Sequence, residues 1–158
     1  MKRNSWQEYQ KEVADDRYYY LRSCIRQNFF PGSEKAFVRI LRQELGRDLF
    51  DDPVHTSCTG IGYHSDIVPL ETIMTVVARQ FALASEAGYE NLAVSCITSF
   101  GIYTEILETW QEFPELEAKV REHLFRATGR EFRKPKNVSH ASDIIFHHRE
   151  AIRQRAAY

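Results

Sequence analysis

Short apolar runs bounded by turn residues alternate along this chain with longer segments whose apolar residues recur every three or four positions. The first run, Tyr18-Tyr19-Tyr20-Leu21, is aromatic and β-prone and predicts a strand. Phe29-Phe30-Pro31-Gly32 marks a turn. Ser33 and Glu34 then open a helix over 34–45, with Phe37, Ile40, Leu41 and Leu45 on one face and Gly46 as its stop. A short strand is expected at Asp48–Phe50 or at Val54–His55. The strongest helical pattern has Pro69 in its first turn and Gly88 past its end, with Leu70, Ile73, Met74, Val77, Phe81 and Ala84 three or four apart. The turn Gly88-Tyr89-Glu90-Asn91 leads into a buried strand, Leu92-Ala93-Val94. One helix is expected from about Phe100 to Gln111, and another from Pro114 to Ala127 ending at Gly129. Asn137-Val138-Ser139 predicts a last strand, and Ser139 or Ser142 caps a final helix bearing Ile144, Ile145 and Ile152. Before the first strand, Trp6, Tyr9 and Val13 fall at helical spacing.

Strands alternating with helices long enough for crossovers predict an α/β fold: a three-layer Rossmann-like domain, with a short parallel sheet flanked by helices. The expected organisation is an N-terminal helical arm over 1–17 and one cysteine-rich α/β domain over 18–158. A chain of 158 residues with 43% hydrophobic and 13% aromatic content suits one domain with a real core. A net charge of −1 argues against nucleic-acid binding by phosphate neutralisation. No apolar run approaches the roughly 20 residues of a membrane span, and the N-terminus has no apolar signal region. Three cysteines, an odd number, do not form a disulfide framework, so a soluble, cytoplasmic protein with reduced thiols is expected.

The cysteines carry the chemistry. Cys96 follows the Leu92–Val94 strand and precedes a helix, where unpaired N–H groups and the macrodipole favour thiolate. Cys24 and Cys58 also lie shortly after proposed strands. Sites in parallel sheets form outside the carboxyl ends of the strands, so all three sulfurs are expected on one rim. Their pattern is C-x33-C-T-G-x35-C-x-x-S. This spacing resembles the CCG motif of the heterodisulfide reductase B-subunit family, a lone Cys, then Cys-Cys-Gly, then Cys-x-x-Cys. Tyr20–Cys24, Pro31-Gly32-Ser33-Glu34-Lys35, Ala78–Ala84 and Val138-Ser139-His140 resemble the flanking segments of one such domain. The likeness covers about residues 18–150.

The resemblance implies a redox subunit whose cysteines hold an unusual noncubane iron–sulfur cluster acting on a disulfide, within a complex of other reductase subunits. By position, Cys24, Cys58 and Cys96 match the family ligands. Thr59 and Ser99 stand where two further cysteines belong. Three thiolates leave open a conventional iron–sulfur cluster, a tetrahedral zinc site completed by His64 with His55 as runner-up, and a metal-free thiol site with Cys96 as attacker. A degenerate scaffold domain, binding zinc or no metal, is the rival of a different class. Gly60 and Gly62 suggest a loop able to approach a cofactor closely. No dinucleotide fingerprint and no nucleophile elbow occurs in the sequence.

Overall fold

The computed structural model describes residues 13, 16–52 and 60–156. Most of the expected N-terminal arm, the alternative strand at 54–55, and Cys58, Thr59 and His55 lie outside the described residues. Four strands form one parallel sheet: β1 (Arg17–Leu21), β2 (Asp48–Asp51), β3 (Asn91–Val94) and β4 (Asn137–His140), in the order β2-β1-β3-β4. Between β1 and β2 come α1 (Cys24–Phe29) and α2 (Pro31–Arg39), the latter running into a π-helical turn at Ile40–Glu44. After β2 come α3 (Gly60–His64) and α4 (Leu70–Glu86). Then α5 (Ile97–Glu112) and α6 (Pro114–Thr128) join β3 to β4, and α7 (Ala141–His147) and α8 (Arg149–Ala156) follow. The fold is therefore α/β, a short parallel sheet flanked by helices.

Each strand face has its own core. Tyr19, Leu21, Leu92 and Val94 pack with Val77, Phe81, Ile102 and Trp110 of α4 and α5. Tyr18, Tyr20 and Ala93 pack with Phe37, Leu41 and Ile144 on the other face. That is why β1 is apolar at consecutive positions: a central parallel strand is covered on both sides. Its tyrosines bring hydroxyls into the interior, and an unpaired one would cost free energy. Tyr19 donates to Asp52 at 2.6 Å, and Tyr20 donates to Glu34.

Several boundaries differ from the sequence expectation for identifiable reasons. The residues after β1 form a helix, α1, capped by Ser23, whose Oγ accepts from the Arg26 amide at 3.2 Å. None of its residues is buried, so no apolar period announces it. The next helix begins at Pro31 rather than Glu34, because proline is suited to the first helical position. α5 begins three residues earlier than expected, with Cys96 as its N-cap. The cap of α7 is His140, not Ser139 or Ser142, and His148 ends α7, separating the expected final helix into two. Gly60 and Gly62 lie in α3 instead of a loop. No helix among the described residues is long and apolar enough to cross a membrane.

Candidate functional site

The strand order places a switch point between β1 and β3. From β1 the chain steps outward to β2, then returns past β1 to form β3. Crossovers leave these neighbours in opposite directions, which opens a crevice beyond their carboxyl ends. Leu21 pairs with Val94 across that gap, and the Ser95 amide donates to the Leu21 carbonyl at 3.3 Å. Two cysteines flank it. Cys24 is the first residue of α1, three positions after Leu21, and Cys96 caps α5, two positions after Val94. Both are half-buried thiols.

The surroundings of Cys96 favour its thiolate. Burial pushes the thiol pKa up, but the amides of Ser99 and Thr98 and the hydroxyls of Ser99 and Ser23 outweigh it, leaving the pKa below the ordinary value. No side-chain cap bond of standard geometry forms, so these groups act as a surrounding set of donors and not as one short contact. Ser23 is buried at the end of β1, next to Cys24, so the two strand ends meet at the Cys96 sulfur.

A carboxylate braces the same turn from below. Glu34 of α2 is 8% exposed and accepts from the Ser95 hydroxyl at 2.9 Å and from Tyr20. Burial and the neighbouring carboxylate both push the Tyr20 phenol pKa up, so it stays a donor at neutral pH. Arg22, beside Ser23, forks onto Asp51 at 2.5 and 2.8 Å and ties β1 to the end of β2. From the other side, Gly60 of α3 packs on Thr98: a Cβ at residue 60 would lie 2.7 Å from the Thr98 Cγ2. Tyr63 donates to Glu105 of α5 at 2.5 Å, pinning α3 against that helix.

In the sequence His140 stands only as the last residue of the segment Val138-Ser139-His140, with no role assigned to its ring. It pairs in register with Val94, is 8% exposed, and stacks edge-on near Phe100 of α5. Burial pushes its pKa down. Its Nδ1 accepts from the Ser142 amide at 3.3 Å, which puts the neutral ring's proton on the buried Nε2, and the Ser95 backbone is a hydrogen-bond partner of the ring. His64 sits at the exposed end of α3, its ring edge-on to Tyr63. Among the described residues no group of three or more His, Cys, Asp or Glu could hold a metal ion.

Comparison with known proteins agrees with this architecture. Over 156 residues, 94% of its length, the chain is 26% identical to the B subunit of the ferredoxin:CoB-CoM heterodisulfide reductase of Methanosarcina acetivorans. It spans about half of that curated relative, 49% of its length. A crystal structure of a hypothetical protein from Helicobacter pylori superposes with a TM-score of 0.63 over 92% of this chain and 31% of the other, at 15% identity. That likeness is one of fold. No family model matches the sequence.

Proposed function

We propose that the chain is a redox protein similar to the B subunit of heterodisulfide reductase, working through sulfur at the carboxyl edge of its sheet. The observation that carries this reading is the placement of Cys24 and Cys96 on the adjoining ends of β1 and β3, in a chain similar along 94% of its length to such a protein. Cys58 is the third sulfur of the proposal. It precedes Gly60 by two residues, and Gly60 packs on the Cys96 turn at Thr98. The proposed organisation is an N-terminal arm over 1–17 and a redox domain over 18–158, acting with other reductase subunits that supply and accept electrons.

Soft thiolates suit iron–sulfur centres, and Cys24, Cys58 and Cys96 are the residues that would hold one. A five-thiolate set does not fit this chain, because Thr59 and Ser99 offer hydroxyls in place of sulfur. An iron–sulfur group held by three cysteines would supply electron transfer; the protein's part is to orient the sulfurs and shield them. His64 is the proposed fourth ligand if the ion is zinc.

A second reading is favoured by the donors around Cys96. In a metal-free site the Cys96 thiolate attacks a disulfide, forming a mixed disulfide and releasing the other half as a thiolate. Anaerobic purification followed by metal analysis and a visible spectrum separates these readings. Iron with broad visible absorption, lost in Cys58→Ala, supports the first. Zinc without colour supports a scaffold domain. Absence of both metals, with Cys96 the fastest thiol to alkylate, supports the second. A Cys58→Ala variant with unchanged metal content and unchanged stability would remove the case for a shared site.

A further inference from the structure

A second concave site lies one strand away from the cysteines. A cleft of about 450 Å³ opens between α2, its π-helical continuation and the carboxyl ends of β1 and β2. That volume lies in the range of small-molecule sites, on the sheet edge where open parallel folds hold ligands. Four basic and two acidic side chains line it, a surplus of two positive charges. Arg22 is neutralised by its fork onto Asp51. The buried Glu34 carboxylate is committed to the Tyr20 and Ser95 hydroxyls.

Against the single charge of Glu34 stand Lys35, Arg39 and Arg42, spaced along one face of the helix. Arg42 gives Nε and Nη2 to the Leu49 carbonyl at 2.8 and 2.6 Å. That acceptor is neutral, so it fixes the guanidinium in place without cancelling its charge. Arg39 meets Glu44 only at 3.6 Å, between two exposed side chains, a contact of little worth. Lys35 has no acidic partner among the described residues.

We infer that this cleft binds a small dianion of the phosphate or dicarboxylate class, held by Lys35, Arg39 and Arg42 on the β1–β2 side of the same sheet edge. The orienting contact of Arg42 with the strand-end carbonyl, and the concave wall that the helix and the two strand ends make around the three cations, distinguish the cleft from a scatter of solvated surface charge. Nothing in this inference depends on a metal or on redox chemistry at the cysteines.

The test is calorimetric titration of the whole chain with inorganic phosphate and, separately, succinate, at about 0.15 M salt, where diffuse attraction is screened beyond roughly 8 Å. Saturable binding of one equivalent is expected for at least one probe, and which one binds tells phosphate from dicarboxylate. Lys35→Gln combined with Arg39→Gln should weaken that binding about tenfold or more, as expected for losing two charge-assisted contacts. Arg126→Gln combined with Arg153→Gln, exposed cations on α6 and α8, should leave it unchanged. No saturable binding, or equal weakening in both pairs, overturns the inference.

Discussion

Replacing Glu34 with alanine is the sharpest test of how the Cys96 turn is held. Glu34 accepts from the hydroxyls of Tyr20 and Ser95, which are 1% and 2% exposed. Truncation to alanine leaves both donors buried without an acceptor. Each orphaned group costs roughly 1–3 kcal/mol, so the pair should cost about 2–6 kcal/mol. That is a large share of the roughly 5–15 kcal/mol by which a domain is stable. With a urea slope of about 2 kcal/mol/M, the midpoint should fall by about 1–3 M. Glu34→Gln keeps an acceptor oxygen at the same place and should cost distinctly less. Tyr20→Phe removes one donor, so its effect should shrink in the Glu34→Ala background by about 1 kcal/mol or more, a coupling readable from urea melts of the four proteins. A Glu34→Ala loss below about 1 kcal/mol, or additivity with Tyr20→Phe, would refute the brace.

Ser99→Ala removes one of the donors that lower the Cys96 pKa, so its alkylation profile, followed by peptide mapping, should move to higher pH; a profile left in place would deny Ser99 that role. The phenol pKa values of Tyr19 and Tyr20 are raised well above the ordinary 10, so the stability this gives is whole below pH 10 and drains as pH rises past it, because the unfolded chain loses protons the native one keeps. Urea midpoints measured from pH 8 to 11 should therefore fall above pH 10, by up to about 2.7 kcal/mol per pH unit for the two groups together, and Tyr20→Phe should roughly halve that slope. Gly60→Ala drives a methyl into Thr98 at 2.7 Å and should cost about 1–3 kcal/mol despite alanine's better helix propensity; a stabilised variant would show that α3 is not seated on the Cys96 turn.

Wherever burial imposes a period, the sequence was readable. Consecutive apolar residues at Tyr18–Leu21 and Leu92–Val94 reported strands covered on both faces, and the spacing from Leu70 to Ala84 reported a helix buried along one side. α1 left no such trace, since it buries nothing, and its cap, Ser23, looks like any serine after a strand. The start of α5 was hidden for a different reason: Ile97 and Thr98 are β-branched, Gly101 is a weak helix former, and cysteine is not a usual cap. The brace on Ser95 was beyond reach altogether. Its partner, Glu34, lies 61 positions away in sequence, and only the parallel crossover brings the two together.

The placement of Ser99 changes how the departure from a Cys-x-x-Cys motif should be understood. In the first turn of a helix, residues at the cap and three positions on face one another, which is why two cysteines at that spacing can share a ligand. Here the second position carries a hydroxyl, and that hydroxyl, with the Ser99 amide, acts on the Cys96 sulfur. The position therefore holds a donor that stabilises the thiolate, where a Cys-x-x-Cys motif would offer a second soft ligand. Ser23 contributes a second hydroxyl from the neighbouring strand end. A thiolate so surrounded can serve as an attacking group or as one ligand among three. At Ser99 thiolate stability and soft-ligand number are thus opposed, and metal content in Ser99→Cys measures the balance directly: a gain of bound iron or zinc over the parent is the expected outcome.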